Sequence, residues 1–370
     1  MKRFVTVRRF SLAVLAGCLL TLRVPHGLSA CEPLPERAES AAQRGDVNAA
    51  VSVVVDPRIE LMTIVQMLSG YEVLTKIDSD YRREVEIWFA PFREHPAVRL
   101  FAEMSRARFA YDAVPKAMLA FSDPPELKLR VELSADVVRR AGGRQKLEEF
   151  AEALRDFARQ SRLSDFLAAH RATYDRVLAA LRSDVENAFA PLRRYSGVDL
   201  KGCTLVAGML VHNGGFQATI GGADGARIYA IIGAFGARDG LPVFSSGGSV
   251  AYLVHHEFSH SYVNPWVERN SATLQKYAAL YEPIREAMRR QAYNNWLTVV
   301  HEHIVRAITV RLASQRSQEA GDRVLQQEEA RGFKYVRPLA EKLKEYEAAR
   351  NKYPALTDFF PELIKVFSEL

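Results

Sequence analysis

Two long stretches of helical periodicity flank one shorter stretch, Cys203 to Phe244, in which the apolar residues come in β-type runs. That order constrains the fold more than any other feature of the chain. A sheet of a few strands must be covered by helices from both sides of the sequence, which points to an α+β protein rather than a wound parallel sheet. The runs are Cys203 to Val211, Phe216 to Ile220 and Arg227 to Gly233, separated by Asn213-Gly214-Gly215 and Ala223-Asp224-Gly225. Asn-Gly and Asp-Gly pairs suit tight hairpins, so the spacing predicts a small antiparallel β-meander. Ser245 to Ser249 then predicts a loop and a cap for the next helix.

The helical stretches have legible stripes and stops. Pro57 suits a first helical turn, Ile59, Met62, Ile64, Val65 and Leu68 follow on one face, and Gly70 suits the stop. Leu147, Phe150, Leu154 and Phe157 form a second stripe, and Tyr174, Val177, Leu178, Leu181 and Val185 a third. Breaks are predicted near His95-Pro96, Asp123-Pro124-Pro125, Gly142-Gly143, Asn264-Pro265, Ser317 to Asp322 and Tyr353-Pro354. The chain divides on this reading into a mostly helical region, 51–200, and a second region, 201–370, holding the meander and the later helices.

The net charge of +6 overstates how basic the folded part is. Residues 1–30 carry Lys2, Arg3, Arg8, Arg9 and Arg23 and no acid, and the remainder holds 45 basic against 44 acidic residues. A nucleic-acid partner therefore loses its electrostatic support. The basic start, the apolar run from Phe10 to Leu22 and the small residues Gly27 to Ala30 predict a signal peptide over 1–30, followed by a linker over 31–50. The protein is expected to be exported, with Cys31 a candidate lipid anchor and no transmembrane span. Cys18, Cys31 and Cys203 are the only cysteines, too few for a disulfide framework or a cysteine-built zinc cluster, and Cys203 reads as a buried small hydrophobe.

The chemistry is carried by His256-Glu257-Phe258-Ser259-His260, an HExxH motif. Residues four apart share a helix face, so both imidazoles can reach one cation, with Glu257 beside them to take a proton from an activated water. Val250, Leu253, Val254 and Phe258 continue an apolar stripe through the motif, and Asn264-Pro265 is predicted to end the helix. The metzincin pattern is excluded, because Val263 and Trp266 stand where it needs glycine and histidine.

A third ligand from a later helix is then required. On the segment Asn294 to Ala307, Val300 and Ile304 lead an apolar stripe, whereas Asn295, Thr298, Glu302, Arg306 and Thr309 form a polar one. That polar stripe lines a cleft or faces water with Glu302 and Arg306 as an i,i+4 pair. Glu302 is the favoured third ligand, against Glu268, Glu282, Glu286, His301 and His303. Tyr262, Tyr293, Tyr335 and His212 are all possible donors to a developing negative charge, and nothing in the sequence selects one.

The motif with its continuation to Pro265, the Glu302-bearing segment, and the run from Tyr346-Glu347 through Tyr353-Pro354 to Asp358-Phe359-Phe360-Pro361 resemble a family of secreted bacterial proteins. That family is known as a domain of unknown function with an expected gluzincin-type metallopeptidase site, and the resemblance covers residue 51 onward. It implies His256, His260 and Glu302 as metal ligands and Glu257 as catalytic base, and it brings no substrate with it. The expected reading is a zincin-like α+β fold holding Zn²⁺, with a peptide or protein substrate. An edge strand beside the metal helix would receive an extended peptide, and Arg227 to Gly233 is the candidate. The alternatives are an inactive cell-envelope binding or scaffold protein of the same fold, or a metal-dependent amidase or esterase acting on a non-peptide substrate.

Overall fold

The computed structural model describes residues 51–370 apart from 75, 222–224 and 246–247. The expected signal peptide, the linker over 31–50 and Cys31 lie outside the described residues. The described chain is mostly helical with a small sheet, an α+β arrangement. None of its helices is long and apolar enough to cross a membrane.

The sheet is mixed, which corrects the expected antiparallel meander. Strand β1 (Ser52–Val54), β2 (Cys203–Gly208), β3 (Gly215–Ile220) and β4 (Arg227–Gly233) lie in the order β1-β2-β4-β3. β1 pairs parallel with β2 and β2 parallel with β4, while β3 pairs antiparallel with β4. Of the three predicted runs, only the second and third pair antiparallel with each other. Asn213 to Gly215 instead ends a connection that carries the chain past β4. The reason lies in side-chain pattern. Tyr229 to Ile232 are all buried, as an interior strand requires, whereas β3 leaves Thr219 exposed and Gln217 half-buried, as an edge strand can. Gly233 makes the crossing feasible, because a β-carbon there would stand 1.7 Å from the His212 carbonyl oxygen.

Arg227 to Gly233 is thus an interior strand, and the edge strands are β1 and β3. A further hairpin, β5 (Gly236–Arg238) with β6 (Leu241–Val243), precedes the next helix. Its turn residues Asp239 and Gly240 both have positive φ, 51° and 75°, so Asp-Gly makes the tight turn here. The cap expected in the segment 245–249 falls on Gly248 at φ 89°, with no side-chain cap bond.

The helix Ser249–Arg269 lies against β3 and β4 on one side and between the helices Arg171–Ser196 and Trp296–Arg316 on the other. Phe258 meets Phe189 edge-on at 5.1 Å, and the His255 ring nitrogen donates to the Ala188 carbonyl at 3.0 Å. The helix runs through Pro265 to Arg269, a correction to the expected stop. Proline removes a single backbone donor, and the buried side chains of Val263, Trp266 and Val267 on either side of it hold the turn in place.

In the first region the expected helix spans Pro57–Leu68, with Asp56 capping the Arg58 amide at 2.9 Å and Gly70 beyond its end at φ 74°. The two later stripes are buried as expected, apart from a half-buried Leu178. Cys203 is buried in β2, and burial pushes its thiol up to about 12. One hydrophobic cluster runs from Val51 to Phe367 through both regions.

Candidate metal centre

HExxH spacing places His256 and His260 one turn apart, and their Nε2 atoms face each other at 3.3 Å. The Trp296–Arg316 helix crosses this face. It starts at Asn295, whose side chain accepts from the Thr298 amide at 2.9 Å, and its polar stripe turns toward the histidines. Glu302 Oε2 stands 3.7 Å from His256 Nε2, and Oε1 stands 3.6 Å from His260 Nε2. His256, His260 and Glu302 form a buried cluster, the only one found among the described residues, that could hold a metal ion.

The donor set fits a cation on its own geometry. Two atoms bound at about 2.0–2.1 Å to one tetrahedral ion lie about 3.3 Å apart. The imidazole pair already has that separation, and the carboxylate oxygens need to move by only a few tenths of an ångström. Glu302 Oε1, His256 Nδ1 and Glu257 Oε2 are buried polar atoms with no hydrogen-bond partner. Such an atom usually destabilises a fold by about 1–3 kcal/mol, so an acceptor left bare beside two imidazoles suits coordination.

Protonation states agree. Burial, reinforced by the Arg306 charge, holds His256 well below its ordinary value. Burial also lowers His260, although Glu302 opposes this. Both rings are neutral near pH 7, as ligands must be. His260 Nδ1 meets Asn264 Oδ1 at 3.0 Å, which puts the proton on Nδ1 and the lone pair on Nε2. The Tyr252 ring stacks on His256 at 5.7 Å with a 12° tilt.

Glu257 points to the β3 edge. A β-carbon on Gly215 would stand 2.5 Å from its Oε1, so a strand residue without a side chain makes room for the carboxyl. Burial first, and the Glu302 charge second, push Glu257 up to about 8. The whole group is enclosed: His256 is 4% exposed, His260 3%, Glu257 2% and Glu302 0%.

The other expected candidates lie elsewhere. Glu282 and Glu286 are exposed and pair with Arg285 and Arg290, and Glu268 is half-buried and outside the cluster. His303 donates from Nδ1 to the Val299 carbonyl at 2.7 Å and lies between Phe333 and Tyr335. His301 is buried outside the cluster, and burial lowers both rings to about 3. Among the donor candidates, Tyr262 is bonded to Ser259 at 2.9 Å and Tyr335 donates to the Leu280 carbonyl at 2.6 Å. Tyr293 accepts from Arg306, and His212 packs edge-on against Phe216.

Sequence reasoning missed Tyr252 and Asn264. The signal was present: positions 252, 256, 260 and 264 are four apart and continue one face of the helix. It also missed Gly215, which lies against Glu257, and Glu328, which shares the Arg306 guanidinium with Glu302.

No curated protein and no solved structure matches the chain at a significant level. A family described as Domain of unknown function (DUF4932) matches residues 51–366. That span is most of the 370 residues, and the chain belongs to this family.

Proposed function

We propose that the protein is an exported zinc-dependent hydrolase, a metallopeptidase of the gluzincin type acting on peptides or proteins. The observation that carries the reading is the face-to-face His256 and His260 pair with the Glu302 carboxylate across it and the partnerless Glu257 oxygen alongside. His256, His260 and Glu302 would hold the zinc ion, which supplies a Lewis acid able to polarise a carbonyl and bring a bound water's pKa to about 7.

The chain's own residues supply the rest. Glu257 Oε2 takes the proton of the attacking water and returns it to the leaving amine nitrogen. Its position suits both steps, because Gly215 leaves room for the carboxyl and Oε2 has no other hydrogen-bond partner to compete for the proton. Asn264 fixes the His260 tautomer. The β3 edge, with Gly215 against Glu257, offers backbone groups to an extended peptide and brings its carbonyl to the carboxylate.

Metal analysis of the purified protein together with a Glu257→Gln variant tests the reading. One zinc per chain, with peptide cleavage lost in the variant and metal retained, is the expected result. Metal-free protein, or cleavage unaffected by the substitution, contradicts it. The enclosure of the site favours a second reading, an inactive cell-envelope binding or scaffold protein of the same fold. That protein would show partner binding indifferent to metal and to Glu257→Gln. A non-peptide amide or ester substrate would show as turnover of such compounds with none of peptides.

A further inference from the structure

We propose that Arg306 is the positioning residue of this centre: its guanidinium takes Glu302 Oε2 and leaves Oε1 as the oxygen offered to the ion, while Glu328 and Tyr252 hold the guanidinium in place. The inference rests on the metal-binding reading above, and adds which oxygen coordinates and what sets that choice.

Arg306 follows Glu302 by one turn of the same helix, the favourable order for an acid and a base four apart. In water such a pair contributes little. Here both members are buried, and the guanidinium lies 3.9 Å over the Phe333 ring. Its donors are distributed to separate groups. Nη2 donates to Glu302 Oε2 at 3.0 Å and to the Tyr293 hydroxyl at 3.3 Å. Nη1 donates to Glu328 Oε2 at 2.9 Å and to the Tyr252 hydroxyl at 2.7 Å.

The two carboxylates on this guanidinium are treated differently. Glu328 has both oxygens bonded: Oε1 accepts from Tyr252, and Oε2 from Arg306 and from Arg331 at 3.3 Å. Glu302 has only Oε2 bonded, and its buried Oε1 has no hydrogen-bond partner and lies 3.6 Å from His260 Nε2. A purely structural ion pair gains nothing from leaving one oxygen bare. A one-point metal ligand does: Oε2, though 3.7 Å from His256 Nε2, has a lone pair committed to the guanidinium, and the bare Oε1 is the oxygen left for the ion.

Buried ion networks are a poor source of stability, since desolvation offsets most of the attraction. They are good at fixing geometry, and this one is tied to two ligands at once. Tyr252 stacks on His256 with its ring and accepts from Arg306 with its hydroxyl. Glu328 also balances a positive charge that would otherwise oppose a cation beside it. Lysine cannot replace this, because its three donors share one nitrogen and cannot serve Glu302, Glu328 and Tyr252 from a planar fork.

The test uses Co²⁺ as a probe in the full-length purified protein, reading the visible bands of the bound ion and its affinity by chelator competition. Variants are compared once circular dichroism shows a wild-type fold. Arg306→Lys is expected to bind Co²⁺ about 10–100-fold more weakly. Its bands should weaken as the freed second oxygen raises the coordination number. Unchanged affinity and bands in Arg306→Lys overturn the proposal and leave the metal-binding reading standing. Should that variant not fold, Tyr252→Phe carries the same test, since it keeps the ring on His256 and removes only the hydroxyl. About tenfold weaker binding supports the proposal and unchanged binding overturns it. Wild-type protein that binds neither Co²⁺ nor Zn²⁺ overturns the metal-binding reading, and this inference with it.

Discussion

Gly215, the first residue of the edge strand, lies so close to Glu257 that a β-carbon on it would stand 2.5 Å from one carboxylate oxygen and 2.9 Å from the carboxyl carbon. The strand on which a peptide would lie and the group that would move its proton are therefore in contact. Gly215→Ala should push the Glu257 side chain off its position while leaving the three ligands untouched. Peptide turnover is expected to fall tenfold or more, with zinc content unchanged. Full turnover in a folded Gly215→Ala protein would show that Glu257 does not act from this position.

Metal binding should report itself in stability. An ion bound to the folded chain and not to the unfolded one contributes about 4 kcal/mol when its free concentration is a thousand times Kd. Added zinc is expected to raise the melting temperature by several degrees and a chelator to reverse the rise. The response should vanish in His256→Ala, His260→Ala and Glu302→Gln, and persist in Glu257→Gln. Calorimetric scans with and without chelator make the comparison.

Glu60, which is outside the candidate metal cluster, sets a pH dependence. Its carboxyl is fully buried, accepts from the Tyr81 hydroxyl at 2.5 Å and from the Met209 amide at 3.2 Å, and is pushed up to about 7 by burial. From about pH 4.5 to 7 the folded chain keeps a proton that the unfolded chain has released. The contribution to stability is present below the ordinary carboxyl value and is lost as pH rises through 7. It amounts to on the order of 3 kcal/mol. Chemical denaturation at pH 4.5 and 7.5 should show the stability difference between wild type and Glu60→Gln changing by about this amount.

Arg58 ties the first helix to the segment behind it. The guanidinium is buried with Asp56 and donates to the Leu119 and Phe121 carbonyls at 3.1 and 3.0 Å. Arg58→Met strips the partner from a buried carboxylate and from both carbonyls. A loss of about 3–5 kcal/mol in unfolding free energy is expected. A smaller loss, under about 1 kcal/mol, would mean that water replaces the guanidinium.

The parts of this structure that were legible in the sequence are those fixed within one helix. His256 and His260 share a face because of backbone geometry alone, and Glu302 stood out as an acid in a polar stripe on an otherwise apolar helix. Which way that stripe faced was not legible, because Glu302 with Arg306 reads equally as a solvated surface pair. The guanidinium is buried only because Glu328, Tyr252 and Phe333 arrive from other elements. The sheet failed for a related reason. Turn residues between β2 and β3 suggested a hairpin, yet pairing is decided by which strand is apolar on both faces, and β4 outcompetes β3 for the interior. Asp239-Gly240 carried the one tight-hairpin signal that was overlooked, and Pro265 was given too much weight against the packing around it.

Anomalous diffraction at the zinc absorption edge, on crystals of the protein purified without chelator, addresses the central claim most directly. One peak is expected, about 2 Å from His256 Nε2, His260 Nε2 and Glu302 Oε1. No peak between those three atoms in zinc-supplemented crystals, or an ion bound elsewhere on the chain, would contradict it.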